Sequence, residues 1–108
     1  MNKSLKSRRY CFTIPNYSDE DLERFHILAA SLEKHCYVTY GLEVADSGLR
    51  HIQGYVELHS AQRIAYLQKY FAFKRSGKLL KFHIEIANGT AEHNKKYTQK
   101  DGNSFEFG

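Results

Sequence analysis

Residues 51–59 read HIQGYVELH, and this run contains the clearest alternation in the chain. Side chains on a β-strand change sides at every residue, so Ile52, Val56 and Leu58 would share one face. The other face would hold polar or titratable groups throughout: His51, Gln53, Tyr55, Glu57 and His59. A strand with one apolar and one polar face is typical of an antiparallel sheet that packs on a core with one side only.

The same alternation predicts three further strands, at residues 8–14, 36–44 and 80–87. Asp46-Ser47-Gly48 lies between the second and third strands, so these two are expected to form a hairpin. The polar face of the sheet then gains Glu43 from the second strand, and His83 and Glu85 from the fourth.

Helical periodicity and capping residues predict three helices. The first follows Ser18, which precedes the acidic turn Asp19-Glu20-Asp21. The second would run from Ala61 to about Phe73, and the third would open at Thr90. The resulting element order predicts an α+β fold, with an antiparallel sheet of about four to five strands. Helices are expected on one face of the sheet, as in ferredoxin-like and RNA-recognition folds, and the polar face is expected to stay open.

Length and composition limit the class of protein. The chain has 108 residues, which is enough for one domain, and its 42% hydrophobic and 26% charged residues are typical of folded proteins. The net charge of +4 suits a polyanionic partner without requiring one. Cys11 and Cys36 show no paired metal-ligand spacing, and no signal or membrane-spanning run is seen. An intracellular, reducing location without a membrane partner is therefore expected.

The polar face of the predicted hairpin contains a candidate metal site. The carboxylate of Glu43, the imidazole of His51 and the amide oxygen of Gln53 would suit Mg²⁺ or Mn²⁺. Residues two apart on one strand lie side by side, and the hairpin partner brings the glutamate across to them. The alternative is an ordinary solvated sheet face, because strand alternation often produces a His-x-Gln pair.

The last predicted helix contains a candidate nucleophile, Tyr97. His93 lies one turn before it, Lys96 is adjacent, and Lys100 follows three residues later. Nearby cations favour the phenolate and would also hold a phosphate close. The alternative is an amphipathic helix whose tyrosine packs and whose lysines are solvated.

Three blocks of residues resemble the motifs of Rep proteins, the replication initiators of circular Rep-encoding single-stranded DNA viruses such as circoviruses and nanoviruses. The blocks are CFTIPN at residues 11–16, HIQGY at residues 51–55 and YTQKDG at residues 97–102. The likeness covers nearly the whole chain. It implies an endonuclease of the His-hydrophobic-His (HUH) class, which starts rolling-circle replication. In that class a divalent metal polarises the scissile phosphate, and a tyrosine attacks it to give a 5′-phosphotyrosine and a free 3′-hydroxyl.

The resemblance also implies roles for individual residues. Tyr97 takes the place of the nucleophile, and Lys100 would assist in positioning or charge neutralisation. Glu43, His51 and Gln53 would bind Mn²⁺ or Mg²⁺, with Gln53 in the place of the second histidine of the class. The partner would be single-stranded DNA at a stem-loop replication origin. The candidate DNA contacts are Arg8, Arg9, Tyr55, Lys96 and, in a predicted basic loop, Lys74, Arg75 and Lys78.

By the same resemblance, residues 1–108 are expected to be one HUH endonuclease domain, excised from a longer chain with a C-terminal helicase domain. The resemblance also implies localisation in the host nucleus. An oligomer of the full-length protein would form through regions absent here. The main competing interpretation is a non-catalytic single-strand-binding module on the same fold. It explains the basic charge but not Glu43 and Glu85, because carboxylates repel phosphate unless a cation lies between them. A structural or protein-interaction domain would predict neither metal binding nor DNA cleavage.

Overall fold

A computed structural model gives the positions of most of the chain. It describes residues 5–31, 36–70, 74–75, 78–79, 82–99 and 102–108. The elements in chain order are β1 (Lys6–Pro15), α1 (Asp19–Ser31), β2 (Cys36–Val44), β3 (Arg50–Arg63), α2 (Ile64–Tyr70), β4 (Lys74–Arg75), β5 (Lys78–Leu79), β6 (His83–Ile86), α3 (Ala91–Gln99) and β7 (Ser104–Phe107). No helix among these described residues is long and apolar enough to cross a membrane.

The main sheet has five strands in the order β6-β1-β3-β2-β7. Every neighbouring pair in it is antiparallel. The predicted α+β class and strand number are therefore confirmed. The fifth strand, β7, was not predicted, because its four residues are too few to show a pattern and pair only with the outer edge of β2.

The core lies on the apolar face predicted by the alternation. Tyr10, Phe12 and Ile14 of β1 are almost fully buried there. Phe25 brings α1 onto this face, with its ring centroid 5.5 Å from that of Phe12 and 4.8 Å from that of Tyr40. Helix α2 joins the same core cluster. Burial of these rings supplies much of the driving force for folding, since apolar surface removed from water is the main stabilising term.

Helix α1 begins with a reciprocal cap. The Ser18 hydroxyl accepts a hydrogen bond from the Asp21 backbone N–H at 3.1 Å, and the Asp21 carboxylate accepts one from the Ser18 N–H at 2.9 Å. Two amides that the helix cannot pair internally are thereby satisfied. The predicted start of this helix is confirmed.

The Ser18→Ala variant tests this cap. We expect it to lower the free energy of unfolding by about 1 kcal/mol, because the Asp21 amide loses its acceptor. Urea denaturation would measure the change. Ser31→Ala, at the exposed opposite end of α1, is the control and should have a smaller effect. An unchanged urea midpoint in Ser18→Ala would mean that the cap contributes nothing.

Helix α2 starts later than predicted. Strand β3 continues to Arg63, because Gln62 and Arg63 pair with Ser7 and Lys6 of β1 beyond a shift in register. The expected start at Ala61 was therefore wrong, and the predicted end at Phe73 lies outside the described residues. Part of the predicted basic loop is instead the small hairpin of β4 and β5.

Helix α3 lies on the polar face of the sheet. Its Asn94 and Thr98 are 8% and 6% exposed. Asn94 contacts Cys11 of β1, and Thr98 contacts Thr39 of β2. The expectation that all helices share one face and leave the other open was therefore wrong. These contacts are polar, so hydrophobic periodicity does not reveal them.

Candidate metal site and nucleophile

Glu43 and His51 lie directly opposite each other in the ladder between β2 and β3. The distance from His51 Nε2 to Glu43 Oε2 is 3.4 Å, and the side chains are 28% and 16% exposed, respectively. This pairing follows from the hairpin register, since cross-strand partners on one face have neighbouring Cβ atoms. Two of the predicted ligands are thus held together, partly shielded from water but still accessible.

Gln53 lies on the same face of β3, two residues beyond His51. Its Oε1 accepts a hydrogen bond of 2.8 Å from the Thr13 hydroxyl of β1. An amide oxygen has a second lone pair, so this bond orients the group without removing its capacity to bind a cation. Thr13 was not assigned a role from sequence, although it lies within the first of the three motif blocks.

The donor set fits a divalent ion. Ligands bound at about 2.1 Å and at right angles lie about 3 Å apart, which is close to the separation of the Glu43 and His51 donor atoms. Carboxylate, imidazole and amide oxygen together suit Mn²⁺ or Mg²⁺. Within the described ranges, no three His, Cys, Asp or Glu side chains group as a metal site. The candidate therefore depends on Gln53 as its third ligand.

One flank of α3 is fixed by contacts to β2 and β7. Lys95 Nζ lies 4.3 Å from the centre of the Tyr37 ring. Gln99 Nε2 donates to the Thr39 hydroxyl at 3.2 Å and lies 3.4 Å from Glu106 Oε2. This flank therefore points toward the start of β2, where Tyr37 lies.

Tyr97 lies on the other flank of α3. Successive residues of a helix are rotated by about 100°, so with Asn94 and Thr98 facing the sheet, Tyr97 projects away from the side of Lys95. Along β2 this is the direction from Tyr37 toward Glu43. Tyr97 is 48% exposed, so its phenol is accessible to a substrate. By this helical rotation, the candidate nucleophile is expected on the side of α3 nearer the candidate ligands.

Lys96, next to Tyr97 in α3, is an exposed cation. Lys96 is 78% exposed and lies 3.5 Å from Glu92 one turn earlier. An exposed pair of this kind contributes little to stability, so Lys96 can exchange it for a phosphate. Lys100 lies outside the described residues.

The predicted DNA contacts differ in their surroundings. Arg8 donates from Nε to the Leu58 carbonyl at 3.0 Å, and Arg9 donates from Nη1 to the Gly89 carbonyl at 2.9 Å. Both arginines therefore also hold backbone segments in place. The backbones of Lys74, Arg75 and Lys78 belong to the β4–β5 hairpin, and their side chains lie outside the described part of the structure.

Tyr55 does not fit the predicted role of an exposed stacking ring. It is 0% exposed, and its hydroxyl donates to Glu57 Oε2 at 3.0 Å. Burial, together with the bond to Glu57, raises the pKa of Tyr55 to about 12. The alternation placed Tyr55 on the correct face, but α3 covers that face: the two ladder partners of Tyr55, Cys11 and Thr39, both contact this helix. A buried ring offers no face to a nucleobase, so the predicted stacking contact of Tyr55 with DNA is wrong.

Comparison with known proteins identifies relatives of the whole domain. The family model described as putative viral replication protein matches residues 7–101. The chain is 35% identical over 97 residues to the replication-associated protein of pigeon circovirus. The aligned residues are 90% of this chain and 27% of that protein. It is 32% identical over 95 residues to the replication-associated protein of beak and feather disease virus, covering 88% of this chain and 29% of that protein.

A third relative comes from an alphasatellite. The Para-Rep C2 protein of subterranean clover stunt C2 alphasatellite is 32% identical over 102 residues, covering 94% of this chain and 34% of that protein. The chain thus spans about a third or less of the length of the relatives it matches. The family model covers the chain from the second residue of β1 to the end of α3, including every described residue of the candidate site. The chain belongs to the family of putative viral replication proteins.

Proposed function

We propose that this chain is the DNA-nicking and DNA-joining domain of a viral replication initiator. It would act on single-stranded DNA at a stem-loop origin. The observation that carries the proposal is the Glu43–His51 pair beside Gln53, on the same face of the sheet as α3, the helix that contains Tyr97. Family membership supports the same conclusion, because the relatives are named as replication-associated proteins.

The chain's own residues account for the proposed reaction. Tyr97 Oη would attack the scissile phosphorus as the bond to the 3′-oxygen breaks. The phenol loses its proton to solvent, and the departing 3′-oxygen gains one. One phosphate ester replaces another of similar energy, so the free 3′-hydroxyl can attack the phosphotyrosine and rejoin the strand. Mn²⁺ or Mg²⁺, held by Glu43, His51 and Gln53, would supply Lewis-acid stabilisation of charge on the phosphate.

Substrate binding would use the cationic groups near α3 and the basic hairpin. Lys96 is highly exposed and next to Tyr97, so it is a candidate contact for a phosphate on either side of the scissile bond. Arg8, Arg9, Lys74, Arg75 and Lys78 are further candidate backbone contacts. A single strand is the expected substrate, because its flexible backbone can bring a phosphate to the sheet beside α3.

The competing function, a non-catalytic single-strand-binding module, is less well supported. It would use exposed aromatic rings on the sheet, and Tyr55 is buried beneath α3. It also gives no reason for a partly buried carboxylate, Glu43, in contact with His51.

A cleavage assay separates these functions. The protein is mixed with an end-labelled oligonucleotide containing a circovirus-type origin loop, with Mn²⁺ or with EDTA, and run on a denaturing gel. We expect a slowly migrating covalent adduct only with Mn²⁺, and no adduct on the same sequence as a closed duplex. Metal-independent binding of several origin loops without any cleavage would instead support the binding module.

A further inference from the structure

Gly41 lets α3 approach the sheet more closely than any other residue would allow. A Cβ atom at this position would lie 2.0 Å from the carbonyl oxygen of Thr98 and 3.2 Å from its carbonyl carbon. Both are backbone atoms of the helix, so they cannot rotate away as a flexible side chain would. The absence of a side chain at Gly41 therefore sets how closely the end of α3 lies against β2.

Asn94 holds the other end of α3. Its Nδ2 donates to the carbonyls of Asn88 and Thr90 at 2.8 and 2.9 Å, and its Oδ1 accepts from Cys11 Sγ at 3.3 Å. Burial raises the pKa of the Cys11 thiol, which favours the protonated donor. One buried amide thus joins the segment before the helix, the first turn of the helix and strand β1. Removing one partner of such a buried set leaves the others unsatisfied.

Both contacts are linked to the candidate site. Gly41 is the ladder partner of Gln53 and lies two residues before Glu43 on the same face of β2. The helix residue above it, Thr98, is the neighbour of Tyr97. The height of α3 over Gly41 therefore determines how far the phenol of Tyr97 is from the candidate metal ligands.

We infer that Gly41 and Asn94 are positioning residues for Tyr97. They act through the placement of α3 and touch neither DNA nor metal. Gly41 sets the distance of the helix from the sheet, and Asn94 sets the position of its first turn. This inference rests on the proposed function, because it concerns the geometry of the same reaction.

The Gly41→Ala variant tests the inference. The contact of 2.0 Å must open to at least 3.0 Å, so α3 must move away by about 1 Å. A displacement of this size can reduce a rate by about 100-fold when it misplaces a reacting atom. We expect kcat for nicking to fall by about that factor with KM unchanged. Rejoining should fall by the same factor, because it uses the same Tyr97 geometry in reverse.

A second readout does not depend on activity. Bound Mn²⁺ broadens the NMR signals of nearby protons, so the ring signals of specifically labelled tyrosine report the distance from Tyr97 to the ion. We expect weaker broadening of the Tyr97 signal in Gly41→Ala, with the Mn²⁺ affinity unchanged in calorimetry. Ser18→Ala is the control, because it lowers stability at α1 without touching α3.

Asn94→Asp provides an independent variant in case Gly41→Ala does not fold. Aspartate has about the size of asparagine and keeps the oxygen that faces Cys11. It cannot donate the two hydrogen bonds to the carbonyls of Asn88 and Thr90. It too should lower kcat and the Tyr97 broadening while DNA binding is retained. Nicking at the wild-type rate in both variants would overturn the inference, as would a parallel loss of Mn²⁺ binding, which would indicate an effect on the ligands. Absence of nicking by the wild type would instead refute the proposed function.

Discussion

Replacing Tyr97 by phenylalanine is expected to abolish the covalent protein–DNA adduct. Phenylalanine keeps the ring and its packing on α3 but has no oxygen to attack phosphorus. Loss of a nucleophile typically lowers a rate by on the order of 10⁴-fold or more. The measurement is the Mn²⁺-dependent adduct on a denaturing gel, quantified against the wild type over a time course.

A matched variant tests whether Tyr97, and not another of the eight tyrosines of the chain, is the nucleophile. Tyr66 of α2 packs against the core on the opposite face of the sheet, so Tyr66→Phe should form the adduct at the wild-type rate. Binding of the uncleaved oligonucleotide should be unchanged in Tyr97→Phe, because the phenol oxygen is not required for phosphate contacts by basic residues. A normal yield of adduct from Tyr97→Phe would show that another residue is the nucleophile.

Replacing either ligand of the Glu43–His51 pair is expected to abolish Mn²⁺ binding. His51→Ala removes the imidazole nitrogen, and Glu43→Gln removes the negative charge that attracts the ion. Even a residue that only supports a metal ligand changes affinity by about 10- to 100-fold, so loss of a ligand itself should cost more. Isothermal titration calorimetry with Mn²⁺ measures affinity directly, and nicking should fall in parallel.

His59→Ala is the control for this experiment. His59 lies on the same strand as His51 but at its far end, and it is exposed. Its removal should leave Mn²⁺ affinity and nicking unchanged. If His51→Ala bound Mn²⁺ as tightly as the wild type, the metal would lie elsewhere, and Glu43, His51 and Gln53 would be no more than a polar patch of the sheet.

Part of the candidate site was predictable because it depends on local geometry. Alternation in residues 51–59 places His51 and Gln53 on one face whatever surrounds the strand, since the side-chain period of a strand is two residues. The short turn of the hairpin then limits the register, and the structure pairs Glu43 with His51. Sequence patterns could also locate the start of α1, because capping uses residues three positions apart.

The position of Tyr97 relative to these ligands depended on contacts between distant parts of the chain. Helix α3 is held on the polar face by Asn94 with Cys11, by Thr98 with Thr39, and by its close approach over Gly41. Neither the periodicity of the helix nor that of the strands contains this information, because each element shows a polar surface there. The same packing buries Tyr55, which alternation alone placed on an open face.

Alternation, capping residues and the three motif blocks were therefore sufficient to predict the fold class, the apolar core of the sheet and the neighbouring positions of Glu43 and His51. Each of these features depends on residues close in sequence or within one hairpin. The seating of α3, the added strand β7 and the extension of β3 to Arg63 became visible only in the folded chain. They depend on hydrogen bonds and backbone contacts between segments far apart in sequence, and such pairings leave no regular pattern in either segment.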